Sequence, residues 1–390
     1  MPVFAPDLLA RLRRLPGVGE LSGEPGVHVV GGAVRDLLLG REPREADLLV
    51  EGDAFALARS IGGAGTTHER FGTATIRIGD SSVDLASARR ETYARPGALP
   101  DVELDASLVE DLQRRDFSVN AIAVRLLDGA MTAVPGAFDD LEAATLRVLH
   151  EGSFADDPTR LLRLARYGAR LGFAPDSYTA RLAEAAVHGG ALKTVTAPRL
   201  GSELRLLALE PQPAGLEELE RFELGREVLH PGFQVDSGLI SRALVMCPDD
   251  ARSDLVALAV ACRRIPGAEL SKRLGQLTLP AREVAAVAAA AAAAQTVDAL
   301  EDMPDSAVAD FFGPRPVEAA VVAAAAGAGA AARWLSDLRH RRLEISGADL
   351  LAAGLTGPAI GRGLAAARAA ALDGRAPDRE RQLAAALAGA

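Results

Sequence analysis

The sequence predicts an α+β fold, in which a small sheet with helices at the N-terminus is followed by an elongated all-α region. Apolar runs of strand length, separated by glycine turns, occupy the first part of the chain. From Asp156 onward, helical spacing continues almost without interruption. The 390 residues are enough for several domains. We expect four domains, namely a head at residues 1–146, a helical neck at 147–213, a helical body at 214–300 and a helical tail at 301–390.

Composition and charge narrow the class of protein. Hydrophobic residues make up 49% of the chain, so a sizeable core is available. The net charge of −10 argues against indiscriminate nucleic-acid binding but allows a local basic track. The two cysteines, Cys247 and Cys262, exclude a cysteine-rich zinc site and indicate a reducing compartment. Because the chain shows neither a signal-peptide pattern nor a long strongly apolar run, we expect a cytoplasmic protein without a membrane partner.

The first predicted strand leads directly into a pair of glycines. Val27–Val30 is an apolar run, Gly31 and Gly32 interrupt it, and helical spacing follows up to Leu39. Glycines let backbone N–H groups approach a phosphate closely, and a helix N-terminus adds a favourable dipole. The pattern therefore indicates either a phosphate-binding turn or an ordinary turn between a strand and a helix.

The next segment has the pattern of a hairpin followed by an irregular loop. Phe71–Ile78 and Ser82–Ala88 are predicted strands on either side of a turn at Gly79 and Asp80. Tyr93–Pro100 contains two prolines and a glycine, which exclude regular structure and predict a surface loop.

Three acidic residues lie on or beside the predicted strands. Glu45 and Asp47 are one residue apart, so on an extended chain both carboxylates point to the same side. Asp84 lies between apolar neighbours on the second strand of the hairpin. Carboxylates gathered in this way can bind divalent metal ions. Solvated carboxylates are the alternative, and the residue pattern leaves both readings open.

Arginines stand out in two places further along the chain. Arg114 and Arg115, followed by Asp116, form a charged group that could cap a helix or contact phosphate and ribose. After Pro158, a helix carries four arginines at spacings of three, three and four residues, which are Arg160, Arg163, Arg166 and Arg170. Because like charges at this spacing repel, an anionic ligand would stabilise the stripe. A solvated helix face is the alternative explanation.

The C-terminal region combines alanine-rich helices with one basic segment. Residues 333–342 contain several arginines and Trp334, which is the only tryptophan of the chain. This segment could bind nucleic acid through its cations and its aromatic ring, or it could be an exposed helix with Trp334 packed inward. Further on, Gly361 and Gly363 are expected to open a helix and to allow close approach to a phosphate.

Four motifs occur in a fixed order, which is GGAVRDLLLGR, an acidic-x-acidic pair, RRDFSVNAIAV and DDPTRLLRLARYGARLGF. Together they resemble the class II tRNA nucleotidyltransferases, the family of bacterial CCA-adding enzymes and bacterial poly(A) polymerases. The segment ISGADLLAAGLTGPAIGRGL also resembles the tRNA-binding tail of that family. The resemblance implies a polymerase-β-like nucleotidyltransferase head. The implied activity is template-independent addition of CCA, from CTP and ATP, to the 3′ end of tRNA, without a protein partner.

The resemblance also implies roles for individual residues. Two Mg²⁺ ions would be held by the catalytic carboxylates Glu45, Asp47 and Asp84. The nucleotide would be bound by Gly31, Gly32, Arg35, Arg115, Asp116, Asn120, Asp157, Arg160, Arg163 and Arg166. Within that set, Asp157 and Arg160 would read the edge of the incoming base. RNA would be bound with the help of Arg199, Arg339, Arg341, Arg342, Gly357 and Gly361.

Two departures from the family pattern leave narrower activities open. The first residue of the acidic pair is Glu45, where the family usually has Asp, and its longer side chain could shift the metal geometry. The loop sequence YARPGALP resembles that of relatives which add only part of the CCA tail. The alternatives are therefore addition of CC only, addition of the terminal A only, poly(A) synthesis, or RNA binding by a protein whose catalytic site has decayed.

Overall fold

The computed structural model describes residues 7–43, 45–61, 66–68, 72–78 and 80–390. The chain forms two compact units, Met1–Thr196 and Ala197–Ala390. The first unit contains a mixed sheet with helices, and the part of the second unit that the structure describes is helical throughout. The predicted α+β fold with a helical C-terminal region is thereby confirmed. The partition into four domains stays a prediction.

The first unit contains eleven strands and eight helices among its described residues. The strands are β1 Val27–Val30, β2 Asp47–Val50, β3 Thr66–His68, β4 Thr73–Ile78, β5 Ser81–Ser87, β6 Arg89–Thr92, β7 Asp101–Leu104, β8 Ile122–Arg125, β9 Met131–Ala133, β10 Thr145–Leu146 and β11 Ala174–Pro175. The helices are α1 Leu8–Arg13, α2 Gly32–Leu38, α3 Ala54–Ser60, α4 Leu108–Gln113, α5 Ala137–Glu142, α6 Ser153–Asp156, α7 Thr159–Leu171 and α8 Ser177–His188. Short 3₁₀ turns include Ser118–Asn120 and Ala191–Thr194.

Seven of the described strands form one sheet in the order β3-β4-β5-β2-β1-β8-β9. The interior strand β1 is buried along its whole length, as expected for an apolar run with β-branched residues. It pairs antiparallel with β2 on one side and with β8 on the other. On the far side of β2, strand β5 runs parallel and brings Asp84 into register with Asp47.

The predicted hairpin and loop correspond to observed features. β4 and β5 pair antiparallel, as the sequence predicts. The predicted strand start at Phe71 and the turn residue Gly79 lie outside the described residues. The loop at residues 93–100 has no regular structure, but the N–H of Gly97 donates to the carbonyl of Ala155 at 3.1 Å. The loop is thus attached to the helical segment that precedes α7.

The second unit is built from the helices α9 Ala197–Ala208, α10 Ala214–Arg221, α11 Leu224–Val228, α12 Ser237–Val245, α13 Ser253–Ala261, α14 Gly267–Gln276, α15 Ala281–Ala293, α16 Val297–Glu301, α17 Asp305–Phe312, α18 Val317–Ala325, α19 Gly329–Ser336, α20 Gly347–Ala352, α21 Pro358–Leu372 and α22 Arg379–Ala388. The alanine-rich helices α15 and α18 pack against each other and against α13, which is buried along most of its length. Small side chains permit such close packing. None of the helices that the structure describes is long and apolar enough to cross a membrane.

Two expectations for the C-terminal region are resolved by the packing. Trp334 is 7% exposed and lies 5.4 Å from the ring of Phe312, so the inward-packed alternative is the observed one. The expected helix start at Gly361 is wrong. Helix α21 begins at Pro358 with Gly357 as its N-cap, because the fixed φ of proline suits the first helical position.

Gly201 on α9 marks a close approach between two segments of the second unit. A Cβ added there would lie 1.8 Å from the carbonyl oxygen of Leu277. We therefore expect Gly201→Ala to lower the free energy of unfolding by about 3 kcal/mol, since the backbone must move to accept the methyl group. Urea unfolding of the full chain measures the change.

Gly275→Ala on α14 is the matched control, because a Cβ there meets no atom within 4 Å. This change should stabilise the helix by about 0.5–1 kcal/mol, since alanine loses less backbone entropy than glycine. Equal effects of the two substitutions would contradict the close packing of α9 at Gly201.

Candidate active site

A polar cleft of about 290 Å³ lies in the first unit, between the sheet and α7. Its walls come from the glycine turn, from β2 and β6, from the segment around α4 and from the start of α7. The lining residues are Gly31, Gly32, Asp47, Arg89, Glu91, Tyr93, Arg114, Arg115, Asp116, Asn120, Asp157, Arg160, Arg163 and Tyr167. The cleft thus brings together eight of the ten residues predicted to bind the nucleotide. Arg35 and Arg166 do not line it.

Gly31 occupies the point where β1 turns into α2. Its φ of +71° lies in the left-handed region that favours glycine, and an added Cβ would lie 3.0 Å from the Arg115 guanidinium. The Asp47 carboxylate lies 3.8 Å from the same position. The N–H of Gly31 already donates to the carbonyl of Ile122 at 3.1 Å. Close approach is therefore available at this turn, but the expected phosphate contact through the Gly31 N–H is not.

The acidic residues of β2 and β5 lie side by side. Asp47 and Asp84 are register partners on parallel strands, and both are exposed, so they share one face of the sheet. Asp84 accepts a hydrogen bond of 2.6 Å from the hydroxyl of Thr75. Glu45 is exposed just before β2. The structure therefore places two of the three predicted metal ligands together and the third close to them in the chain.

The pKa of the Asp47 carboxyl group depends on its surroundings in the cleft and on the neighbouring carboxylates. Asp47 opens onto the cleft, but the protein atoms around it restrict hydration of its carboxylate. This desolvation raises the pKa of Asp47 above its usual value, against the opposing charge of Arg115. The negative charges of Glu45 and Asp84 raise that pKa further. Accumulated carboxylate charge of this kind fits a hard divalent cation, whose preferred ligands are oxygens. No group of three or more His, Cys, Asp or Glu side chains within the described residues is already spaced to hold a metal ion.

Asp111 organises the arginines at the end of α4. Its side chain is fully buried and accepts hydrogen bonds from Arg114 at 2.6 and 2.9 Å. Arg115 donates to its other oxygen at 3.0 Å. One buried carboxylate thus holds two adjacent guanidiniums that both line the cleft, and their contact with phosphate or ribose stays a prediction.

Asp116 joins the sheet side of the cleft to α7. Arg163 contacts its carboxylate at 2.6 and 2.8 Å, and the amide of Asn120 donates to it at 2.9 Å. Burial alone would raise the pKa of Asp116. The charge of Arg163, the hydrogen bond from Asn120 and the charge of Arg160 nevertheless hold that pKa well below its usual range. Asp116 is therefore an ionised hydrogen-bond acceptor under all ordinary conditions.

Arg35 has a supporting position instead of the expected contact with the nucleotide. It is 1% exposed, donates to Asp36 at 2.7 and 2.9 Å and also hydrogen-bonds to Asn120. Asp36 in turn accepts from Arg170 on α7 at 2.8 Å. This buried chain of alternating charges is a second connection between α2 and α7.

The predicted base-reading pair lies at the start of α7. Asp157 accepts from the N–H and the hydroxyl of Thr159 at 3.0 and 2.7 Å. Arg160 is buried and donates to the hydroxyl of Ser153 at 2.6 Å and to the carbonyl of Arg114 at 2.7 Å. Both side chains line the same cleft as Asp47, so the carboxylates and the base-reading pair face one cavity.

The sequence left two explanations for the arginine stripe on α7, a solvated helix face or a surface that binds an anionic ligand. The structure shows that several of these arginines contact other side chains of the same unit. Arg163 and Arg170 are paired with carboxylates of the same unit. Arg166 is 9% exposed, and its guanidinium lies 5.0 Å from the centre of the Tyr167 ring. Much of the repulsion along the stripe is thus relieved internally, which the spacing of the arginines alone could not reveal.

The sequence pattern did not identify four of the residues that line the cleft, which are Arg89, Glu91, Tyr93 and Tyr167. Tyr93 belongs to a loop, and Arg89 and Glu91 to a short edge strand, so no periodicity marks them. The alternation Arg-x-Glu-x-Tyr directly before the loop was the available signal, because alternate residues of a strand share a face.

The predicted RNA-binding residues lie in the second unit. Arg339, Arg341 and Arg342 line a cavity of about 300 Å³, together with Arg368. Arg339 pairs with Asp250 at 2.5 Å, and Arg341 pairs with Asp337 at 2.6 Å. The remaining candidates are Arg199 on α9, Gly357 at the N-cap of α21 and Gly361 within α21, and their role stays a prediction.

Comparison with known proteins identifies related chains. Residues 27–147 match the family model of the poly A polymerase head domain. The A-adding tRNA nucleotidyltransferase of Aquifex aeolicus is 41% identical over 222 residues, which are 55% of this chain and 27% of that protein. The CC-adding tRNA nucleotidyltransferase of Deinococcus radiodurans is 37% identical over 271 residues, which are 63% of this chain and 70% of that protein. The chain therefore spans about a quarter of the length of the Aquifex relative but most of the Deinococcus one.

A solved structure resembles the whole chain. The Thermotoga maritima CCA-adding enzyme complexed with tRNA-CCA aligns with a TM-score of 0.79 at 26% identity, over 98% of this chain and 97% of that one. The chain is 37% identical to the Deinococcus relative and covers 70% of its length, and its fold agrees with that of the Thermotoga enzyme. These similarities assign the chain to a family.

The Asp116–Arg163 pair generates a stability prediction. Arg163→Met should lower the free energy of unfolding by about 3 kcal/mol at pH 7, because it leaves the Asp116 carboxylate buried without its main counter-charge. In the wild type, the low folded pKa keeps the contribution of ionised Asp116 fully present above the unfolded pKa of about 4, and it is lost only below that pH. In the variant, Asp116 can take up a proton, so the deficit should shrink between pH 7 and pH 5. Urea unfolding at both pH values measures it.

The double variant Asp116→Asn/Arg163→Met should recover part of the loss at pH 7. Arg125→Met is the matched control, since Arg125 forms an exposed pair with Asp128 in the same unit and its removal should change stability little. A deficit of the same size at both pH values would show that lost packing, and not the unpaired carboxylate, dominates.

Proposed function

The chain belongs to the class II tRNA nucleotidyltransferases, and on that premise we propose that it adds CCA to the 3′ end of tRNA from CTP and ATP without a nucleic-acid template. One observation carries the proposal, namely that a single cleft combines Asp47 with Asp157 and Arg160. The first residue belongs to the carboxylates of a phosphoryl-transfer centre, and the other two can recognise a nucleobase. Such a combination serves a reaction in which the base is selected while a nucleotide is transferred.

The reaction joins the terminal hydroxyl oxygen of tRNA to the α-phosphorus of the nucleotide and releases pyrophosphate. Asp47 and Asp84, with Glu45, would hold divalent ions, and Mg²⁺ is the expected metal. Bound there, such ions lower the pKa of an attacking hydroxyl and neutralise charge on the leaving group. Arg115 is aimed by Asp111 beside Gly31, where a guanidinium can donate two hydrogen bonds to phosphate oxygens. The protein thus contributes positioning and charge.

Base selection follows from the types of hydrogen bond available at the start of α7. Arg160 can only donate, and ionised Asp157 can only accept. Cytosine and adenine each present an amino donor beside a ring-nitrogen acceptor, whereas uracil and guanine present the reverse arrangement. A wrong base would leave buried polar groups unpaired, which discriminates strongly. The hydrogen bonds from Arg160 to Ser153 and to the Arg114 carbonyl keep its guanidinium in place.

A narrower activity is the second candidate. The related Aquifex and Deinococcus proteins are named for addition of A and of CC respectively, and they are 41% and 37% identical to this chain over 55% and 63% of its length. The same cleft would support either partial reaction, since both use the same chemistry. The number and kind of nucleotides added is therefore the property to measure.

We expect the purified full chain with Mg²⁺ to extend three tRNA substrates that lack CCA, CA or only the terminal A. Each nucleoside triphosphate is offered separately and then in combination, and the products are resolved at single-nucleotide length. The proposal predicts C addition to the first two stages and A addition to the last. Addition of A alone, of CC alone or of long A tails would each replace it with the corresponding narrower activity.

Asp47→Asn is the matched control in that assay and should reduce the rate about 100-fold or more, because a phosphoryl-transfer centre loses several kcal/mol without its metal ligand. Chelation of divalent ions should have a similar effect on the wild type. Failure of the wild-type protein to extend any tRNA, in the presence of Mg²⁺, would contradict nucleotide addition altogether.

Asp157→Ala and Arg160→Ala should each reduce the preference for CTP over UTP by about 100-fold, while phosphate contacts continue to support nucleotide binding. The measurement is kcat/KM for each nucleotide with a fixed tRNA. Asp128→Ala and Arg125→Ala, which alter an exposed Asp–Arg pair outside the cleft, are matched controls and should preserve the preference. Retention of full discrimination in both cleft variants would refute the assignment of the base-reading pair.

A further inference from the structure

The Arg-x-Glu-x-Tyr segment at the edge of the cleft has no role in the function described so far. Glu91 on β6 is almost completely buried, with a side-chain exposure of 7%, and it accepts from three different side chains. Arg89 donates to it at 2.8 Å, Arg114 at 2.8 Å and the hydroxyl of Tyr93 at 2.9 Å. A carboxylate with three donors holds each of those donors in one orientation.

Tyr93 is the one member of this group that has an aromatic face. It lines the cleft together with Asp157 and Arg160, and the charges of both residues act on its phenol group. Burial and the neighbouring Glu91 charge raise the pKa of Tyr93 above its usual value, so the phenol stays protonated and continues to donate to Glu91. The ring is therefore kept in one position beside the two residues that read the edge of the base.

The backbone around Tyr93 is held from both sides. Before it, β6 pairs with β7, with Thr92 opposite Asp101. After it, the N–H of Gly97 donates to the carbonyl of Ala155, two residues before Asp157. Gly97 also packs so tightly that an added Cβ would lie 2.1 Å from the hydroxyl oxygen of Thr194. The ring is thus preorganised, which lowers the entropy cost of any contact that it makes with a ligand.

We propose that Tyr93 is a nucleotide-contacting residue whose ring packs against the nucleoside of the incoming nucleotide, and that Glu91 is its positioning residue. The proposal rests on the proposed function, in which Asp157 and Arg160 hydrogen-bond to the edge of the base. Tyr93 would contact the face of the same base. A ring that packs against a base contributes to affinity for either nucleotide, since every base has an aromatic face. The hydroxyl of Tyr93 is used by Glu91 and orients the ring.

Tyr93→Ala tests the contact. It should raise the KM for CTP and for ATP about tenfold, in line with the loss of one stacking contact, and leave the KM for tRNA within about twofold. Tyr93→Phe keeps the ring and should raise the nucleotide KM by less than about threefold. The matched control is Tyr178→Ala, which removes an exposed tyrosine of the same unit from α8, outside the cleft, and should change neither KM.

Glu91→Gln tests the positioning role by a double-mutant cycle. Alone, it should raise the nucleotide KM, because the ring loses its charged acceptor. In the Tyr93→Ala background it should add clearly less to that KM than it does alone, since no ring remains to be oriented and only the contacts of Glu91 with Arg89 and Arg114 are weakened. A thermal melt of every variant separates these effects from loss of folding. An unchanged nucleotide KM in Tyr93→Ala overturns the contact, and additive effects in the double variant overturn the positioning role.

Direct titration of the protein with CTP and ATP measures nucleotide binding without the transfer reaction. It therefore tests the Tyr93 contact separately from the proposed function. If the wild-type protein binds nucleotide but transfers none, the proposed function fails while weaker binding by Tyr93→Ala still supports the contact. If transfer proceeds normally in Tyr93→Ala with unchanged nucleotide affinity, the contact fails and the proposed function stands. Absence of any nucleotide binding by the wild type overturns both.

Discussion

The buried carboxylate of Asp116 holds together the two sides of the candidate active site. Residues from the sheet region supply the carboxylates and Arg115, and helix α7 supplies the residues proposed to read the base. Asp116 bonds to Asn120 on one side and to Arg163 on the other, so these groups keep a fixed separation. A cleft that must recognise a base and place a phosphate at the same time depends on that separation.

The cleft uses carboxylates mainly to position arginines. Asp111 aims Arg114 and Arg115, Glu91 holds Arg114 again from the opposite side, and Asp36 connects Arg35 with Arg170. A guanidinium that is already paired in a buried site loses little conformational entropy when a ligand binds, because its orientation is already fixed. Asp47 and Asp84 are different, since they adjoin each other, and the pKa of Asp47 is raised by desolvation and, to a smaller extent, by the neighbouring carboxylates. They are the part of the site that a cation would stabilise.

The sequence was informative where a local rule applied. Strand–glycine–helix patterns, the hairpin around Asp84 and the proline at the start of α7 follow from backbone geometry, and each occurs as predicted. Local rules did not show which partners a residue finds in distant parts of the chain. Arg35 was expected at the nucleotide and is buried behind Asn120, and the Gly31 N–H is used by Ile122. Glu91 and Tyr93 were not predicted, because the only local signal, the alternation Arg-x-Glu-x-Tyr, shows that their side chains share a face but not what that face contacts.

The sequence by itself determined the α+β division, the order of the motifs and the family to which they point, because hydrophobic period, glycine and proline act over a few residues. Tertiary structure alone decided which side chains share the cleft. Asp47 meets Asp84 only because β2 and β5 run parallel in register, and Arg160 reaches the carbonyl of Arg114 across 46 positions of the chain. Such pairings depend on strand order and helix packing, which fix distances that no local pattern contains.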